Sequence, residues 1–295
     1  MKNISPFFNP VEWFRAWRFK RSNARFPKSS YDHELYLYSK ILSSRMLHYG
    51  YFDDTGIKPE SISLGMVEDA QRRYAELLIE NIEPENGAVL DVGCGMGGLA
   101  EMITSRGMEV EVLTPDRNQI EFIAKSQPGV KSHRCRYEEF VPERKYGTVI
   151  NSESLQYIKL DDAFRKSGEV LAGGGRWIIA DYFRLHGGGI SKSAHMLDDF
   201  RSKAAENGWV IEVETDITPN ILPTLDLVYM YFQRFLIPLK HYGYEKLRYK
   251  RPGLFYLSRK LRDSIDRKLE KESASLNPEM FRNEKRYMLF VLRKS

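Results

Sequence analysis

A chain of 295 residues that is 42% hydrophobic and 29% charged carries enough apolar material for one large core with a smaller appendage, which excludes disordered and fibrous classes. No apolar run approaches the roughly 20 residues that cross a bilayer, and charges interleave with aromatics near the N-terminus, so a cytoplasmic protein is expected. The net charge of +5 permits attraction to anionic surfaces, and two cysteines, Cys94 and Cys135, are too few for a disulfide framework or a closed zinc site.

Residues 1–82 read as a helical cap, because Tyr31 to Met46 and Val67 to Ile82 repeat apolar residues every three or four positions. Between them, His48 to Asp54 reads as a loop. From Ala88 onward the period changes. Short β-branched runs over Ala88 to Val92, Val110 to Leu113, Thr148 to Asn151 and Arg176 to Ala180 alternate with helix-like segments, which predicts βαβ units and a parallel sheet. Gly208 to Thr215 and Arg286 to Leu292 read as further strands, and the stretch between them reads as helical and basic. Basic residues concentrate at Arg15, Arg18, Lys20, Arg21, Arg25 and Lys28, and again from Lys240 to Arg262, both times among Trp, Phe and Tyr. Such clusters suit a solvated face, or a surface that meets anionic lipid headgroups while rings sink into the acyl boundary. No recognised nucleic-acid module accompanies them, so no nucleic-acid partner is expected.

The strongest local signal is Val89 to Gly98, an apolar strand running directly into glycines. Glycine suits a sharp turn and a close backbone approach to a ligand. Gly93, Gly95 and Gly98 satisfy G-x-G-x-x-G, which leaves a dinucleotide formally open. Against it, Asp91 stands two residues before the first glycine, where an acid repels a pyrophosphate but meets a cationic amino group. Asp91, Gly93, Gly95 and Gly97 together give the D-x-G-x-G-x-G spacing of S-adenosylmethionine (SAM) sites.

On these residues the chain resembles the class I SAM-dependent methyltransferases, within the group of tocopherol methyltransferases, macrolide O-methyltransferases and cyclopropane fatty acid synthases. Four stretches carry the match: His48-Tyr49-Gly50-Tyr51-Phe52-Asp53-Asp54, Asp91 to Gly98, Leu113 to Gln119, and Glu153-Ser154-Leu155-Gln156-Tyr157-Ile158. The resemblance implies an α/β fold, a Rossmann-like seven-stranded sheet closed by an antiparallel final hairpin. It divides the chain into the cap (1–82), a SAM-binding core (83–218), a helical insertion serving as a lid (219–283) and the last strand (284–295). The implied SAM-binding set is Asp91, Gly93, Gly95 and Gly97, with Tyr49, Thr114, Asp116, Gln119 and Tyr137. Thr114 or Asp116 stands toward the ribose, and Arg136 falls where the family places an acid toward adenine.

Methyl transfer from a sulfonium is an in-line displacement, so the enzyme chiefly positions the acceptor and manages a proton where the acceptor carries one. The six histidines are scattered without ligand spacing, so no metal is expected. Glu153, after the fourth strand, is the candidate base. His48 reads as a base or a packing histidine, and Tyr157 stands where relatives often carry histidine. Tyr229, Tyr231, Phe232, Phe235, Leu236 and Tyr242 form a stripe in the insertion which, if it faces the cleft, suits a lipophilic acceptor such as a lipid, an isoprenoid or a polyketide. The expected activity is methyl transfer to such an acceptor. The alternatives are a non-catalytic SAM-fold scaffold, an NAD(P)-dependent oxidoreductase, or cyclopropanation. Oligomeric state and acceptor atom stay open.

Overall fold

Val89–Val92 (β1), Val110–Leu113 (β2), Lys131–His133 (β3), Tyr146–Ser152 (β4), Leu171–Arg184 (β5), Trp209–Asp216 (β6) and Lys285–Lys294 (β7) form one sheet, in the order β3-β2-β1-β4-β5-β7-β6. Strands β1 to β5 pair in parallel, and β7 runs antiparallel between β5 and β6. The final hairpin is therefore present, with a helical stretch between its strands. The computed structural model describes residues 10–23, 44–188 and 194–295. Most of the expected helix over Tyr31 to Met46 lies outside them, as do Arg25, Lys28 and His33, and Ser44 to Met46 are not helical.

The helices are Pro10–Asn23 (α1), Leu64–Ile79 (α2), Gly98–Ser105 (α3), Arg117–Ser126 (α4), Leu160–Val170 (α5) and Leu197–Glu206 (α6), followed after β6 by Thr218–Tyr231 (α7), Ile237–Lys250 (α8), Pro252–Leu257 (α9), Arg259–Leu276 (α10) and Pro278–Glu284 (α11). Helix α2 starts three residues before its first periodic apolar position because the Ser63 hydroxyl accepts from the Met66 amide and caps it. Strand β3 carries no apolar alternation to betray it; Lys131, Ser132 and His133 form a short polar edge.

Both sheet faces are buried, so the strands read as continuous apolar runs. Val89, Val112, Ile150, Ile178 and Val291 pack on one face with Tyr74 and Leu78 of α2. Leu90, Val149, Trp177, Ile179 and Phe290 pack on the other with Phe164 of α5 and Phe200 of α6. Trp177 meets Phe164 edge-on at 5.1 Å and Trp209 at 5.3 Å, geometry that adds about 1 kcal/mol per pair beyond area burial.

The insertion behaves differently. Helix α7 buries Ile221, Leu222 and Leu225 in the core and continues through a π-turn at Phe232–Leu236 into α8. Helices α8, α9 and α10 bury no residue. They fold back as a hairpin held by Lys240 on Asp266 at 2.8 Å, Gln233 on Ser273 at 2.9 Å, and the Arg262 guanidinium 3.5 Å from the Phe255 ring.

Candidate active site

A cavity of about 680 Å³ opens at the C-terminal ends of β1, β2 and β4, where open α/β sheets gather ligands. Glu153, His48 and Tyr157 line it, as do Asp91, Gly93, Gly95, Thr114, Asp116, Gln119 and Tyr137, while Gly97 and Tyr49 do not.

Asp91 sits on β1 between buried neighbours, itself 1% exposed, and its Oδ2 has no hydrogen-bond partner. Burial pushes its pKa up from the usual 3.8 to about 7. The chain then turns through left-handed Gly93, Gly95 and Gly97, with φ of +82°, +53° and +80°. At Gly93 the need for glycine comes from the protein itself: a Cβ there would lie 2.3 Å from the Ser154 Cβ, and the Ser154 hydroxyl lies close to the Val92 carbonyl. Gly97 is likewise a packing position, since a Cβ would stand 2.8 Å from the Gln127 amide nitrogen that donates to its carbonyl. Packing against Ser154 and Gln127 thus gives glycine at 93 and 97 a reason beside the expected turn and close approach of a ligand.

Beyond β2, the Thr114 hydroxyl donates to Gln119 Oε1 at 2.8 Å, and Asp116 Oδ1 caps α4 by accepting from the Asn118 and Gln119 amides. Tyr137 is buried, with its hydroxyl 2.9 Å from Ser167 inside the core, so it offers the cavity ring and backbone instead of a free hydroxyl. Arg136 pairs with Glu138 at 3.6 Å on the same wall, which brings a carboxylate there despite the arginine.

Glu153 leaves β4 with φ of +51°, a left-handed conformation uncommon for a residue with a Cβ. Its Oε1 accepts from the Tyr49 amide at 3.0 Å and the Tyr287 hydroxyl at 2.8 Å. The Tyr287 hydroxyl lies 2.9 Å from that of Tyr74, which lies 3.1 Å from Ser152 Oγ. Desolvation lifts the Glu153 pKa to about 7 although both donors hold it down. Asp181, buried at the end of β5, accepts from the Gln156 and Tyr182 amides, and burial followed by the charge of Glu153 lifts it to about 8. His48 stacks on Tyr74 at 4.1 Å. Its Nδ1 is 2.7 Å from the Tyr49 carbonyl and must donate, which leaves a buried, unpartnered lone pair on Nε2. Burial lowers its pKa to about 4, so the ring is neutral. Tyr157 stands at the rim, 80% exposed.

Sequence reasoning missed Tyr74, Tyr287 and Asp181. Only Asp181 had a signal, an acid at the carboxyl end of a parallel strand; Tyr287 reaches Glu153 across 134 positions of sequence. The insertion's aromatic stripe requires correction. None of its six residues lines the cavity, because Phe232 turns into the core while Tyr231, Phe235, Leu236 and Tyr242 face outward. The cavity is flanked instead by Arg45 to His48.

A family model described as a methyltransferase domain matches residues 66–218, half of the chain. The chain belongs to this methyltransferase family. The match runs from within α2 through β6 and bears out the methyltransferase resemblance, taking in three of its four stretches, Asp91 to Gly98, Leu113 to Gln119 and Glu153 to Ile158. Among curated relatives, a geranyl diphosphate 2-C-methyltransferase of Streptomyces lasalocidi is 29% identical over 188 residues, 56% of this chain and 61% of its own length. A protein of the same name from Saccharopolyspora erythraea is 30% identical over 174 residues, 50% of this chain and 60% of its own. The chain thus spans somewhat under two thirds of the curated relatives it matches. Among solved structures, the geranyl diphosphate C-methyltransferase of Streptomyces coelicolor A3(2), in complex with Mg2+, geranyl-S-thiolodiphosphate and S-adenosyl-L-homocysteine, superposes with a TM-score of 0.64. It is 19% identical and covers 90% of this chain and 95% of its own, which shows the shared fold.

Proposed function

We propose that this chain is a SAM-dependent methyltransferase acting on a small lipophilic acceptor of isoprenoid or lipid type. The observation that carries the reading is the pairing, across one cavity, of an orphaned buried carboxylate at Asp91 with a hydrogen-bonded carboxylate at Glu153 that titrates near pH 7. Asp91 suits a methionine ammonium. A buried acid without a partner awaits a cation, and it disfavours the pyrophosphate of a dinucleotide. Family membership and the names of the relatives support the same donor.

SAM supplies an electrophilic methyl group on a sulfonium. Asp91 and the glycine loop would hold its amino-acid end, Thr114, Asp116 and Gln119 would serve the ribose, and Arg136 to Glu138 would flank the base. Methylation at an alkene carbon would break the methyl–sulfur bond, release S-adenosylhomocysteine and leave a cation that sheds a proton, which Glu153, its pKa lifted by burial to about 7, would accept. Tyr287 and the Tyr49 amide fix the carboxylate and favour its charged form. His48, neutral and stacked on Tyr74, shapes the wall and presents a lone pair. On this reading residues 83–218 form the donor-binding core, residues 1–82 precede it as the cap expected from the sequence, and residues 219–283 are an insertion before the last strand. Peripheral membrane contact would deliver the acceptor.

Calorimetric titration with SAM and S-adenosylhomocysteine tests the donor; absence of binding by both sinks the reading. With geranyl diphosphate as a probe acceptor, Glu153→Gln should bind SAM as the unmodified chain does and lose turnover.

A further inference from the structure

Along the helix that runs through α7, the π-turn and α8, one face is exposed and apolar. Val228, Tyr231, Phe235, Leu239, Tyr242 and Tyr249 follow at three- and four-residue steps, with Lys246 stacked on Tyr242 filling the remaining step. At 1.5 Å per residue the stripe is about 30 Å long. The opposite face, with Gln233, Lys240 and Tyr244, packs on α10, so the stripe is what the hairpin turns away from itself. Leu239 is 66% exposed and Tyr249 is 88% exposed.

Charge is distributed just as unevenly. Residues 246–262, the turn of the hairpin, hold seven basic side chains and no acidic one, more positive charge than the whole chain's net +5. Aliphatic side chains stand among them, Leu257 at 70% and Leu261 at 63% exposed. Helix α1 repeats the composition, with Trp13, Phe14, Trp17 and Phe19 exposed among Arg15, Arg18, Lys20 and Arg21.

We infer that the turn and outer stripe of this hairpin dock the protein on an anionic lipid bilayer, the basic residues meeting headgroups while Leu239, Tyr242, Tyr249, Leu257 and Leu261 enter the headgroup–acyl boundary. Charge complementarity selects this occupant. A second copy of the chain would set one all-basic turn against another. A nucleic acid would match the cations and stack on the tyrosines, but it would gain nothing from exposed leucines, whereas a lipid interface takes all three side-chain types. The inference rests on the hairpin alone and holds whether or not the cavity transfers methyl groups.

The test is co-sedimentation of the full chain with vesicles of phosphatidylcholine and with vesicles of an equal mixture of phosphatidylcholine and phosphatidylglycerol, without SAM or acceptor. Binding is expected to the mixture, to weaken as salt rises, and to be nearly lost on neutral vesicles. Lys250→Gln/Arg251→Gln/Lys260→Gln should weaken it about a hundredfold, from about fivefold per basic residue removed. Leu239→Ser/Tyr242→Ser/Tyr249→Ser should release protein from vesicles while its thermal unfolding midpoint stays put. If that variant does not fold, salt and lipid dependence of the unmodified chain carry the test. Equal binding to both vesicle types, no binding to either, or sedimentation as a dimer that only the serine variant abolishes overturns the inference, as does binding of single-stranded RNA without binding of vesicles.

Discussion

Replacing Asp91 by Asn preserves the size of the side chain and removes a buried charge whose Oδ2 has no hydrogen-bond partner among the described residues. Burial raises the pKa from 3.8 to about 7, roughly three units, so holding the residue ionised in the free fold costs about 4 kcal/mol at 1.36 kcal/mol per unit. Because the folded-state value is raised, the fold binds a proton that the unfolded chain has given up. The cost is absent below the unfolded pKa of 3.8, grows as pH climbs through the window, and levels off above about 7. Asp91→Asn should therefore match the unmodified protein near pH 4, gain stability as pH rises, and lead by a few kcal/mol at pH 8. SAM affinity should move the other way, falling by about tenfold to a hundredfold as a charge-assisted hydrogen bond is lost. Urea unfolding across this range, paired with calorimetry, reads both quantities. A stability difference independent of pH, or unchanged SAM affinity, would refute the placement of an unpaired carboxylate opposite the ligand's cation.

With Glu153 near pH 7, turnover on a proton-releasing acceptor should rise through about that pH, and Glu153→Gln should lower kcat by about a hundredfold or more while leaving SAM binding intact; a flat pH–rate profile sinks the assignment. Tyr287→Phe removes a donor that favours the ionised carboxylate, so the rising limb should move to higher pH; a drop in rate without that move would mark Tyr287 as packing alone. Gly93→Ala and Gly107→Ala impose similar left-handed backbones, with φ of +82° and +77°, but only Gly93 faces an obstruction, the Ser154 Cβ at 2.3 Å. Gly107→Ala should cost about 1 kcal/mol and Gly93→Ala several times that, or prevent folding, as chemical denaturation would show. Equal costs would remove the steric argument.

The donor side of the site is legible in the sequence because a single stretch, Val89 to Gly98, holds strand, acid and turn together, and local chemistry dictates the residue types. The central strands announce themselves by their apolar residues: Val110, Val112 and Leu113 mark β2, and the one carboxylate among them, Glu111, is buried against His133 and Tyr146. Strand β5 extends further than its apolar run, to Arg184, because pairing with β7 continues to Lys285 on backbone hydrogen bonds that no side-chain pattern records. The carboxylate network is illegible because Tyr74, Glu153, Asp181 and Tyr287 belong to separate elements that only tertiary packing unites. The insertion misleads in an instructive way. An aromatic stripe at helical spacing looks alike in sequence whether it faces a pocket, a core or the outside, and only the hydrogen bonds of Gln233, Lys240 and Tyr244 to α10 show which face is left over.

The Ser154 side chain fills the space where any residue other than glycine would put its Cβ at position 93, and the Ser154 hydroxyl reaches back to the Val92 carbonyl while Asn151 Nδ2 donates to it at 2.9 Å. The two loops that frame the cavity are thereby latched together, so neither drifts without dragging the other. For a reaction that tolerates little angular error, such a latch keeps the line of attack fixed through thermal motion. It also constrains divergence. A descendant acquiring a new acceptor cannot remodel the Asp91 loop or the Glu153 loop singly, and innovation is channelled into the rim around exposed Tyr157.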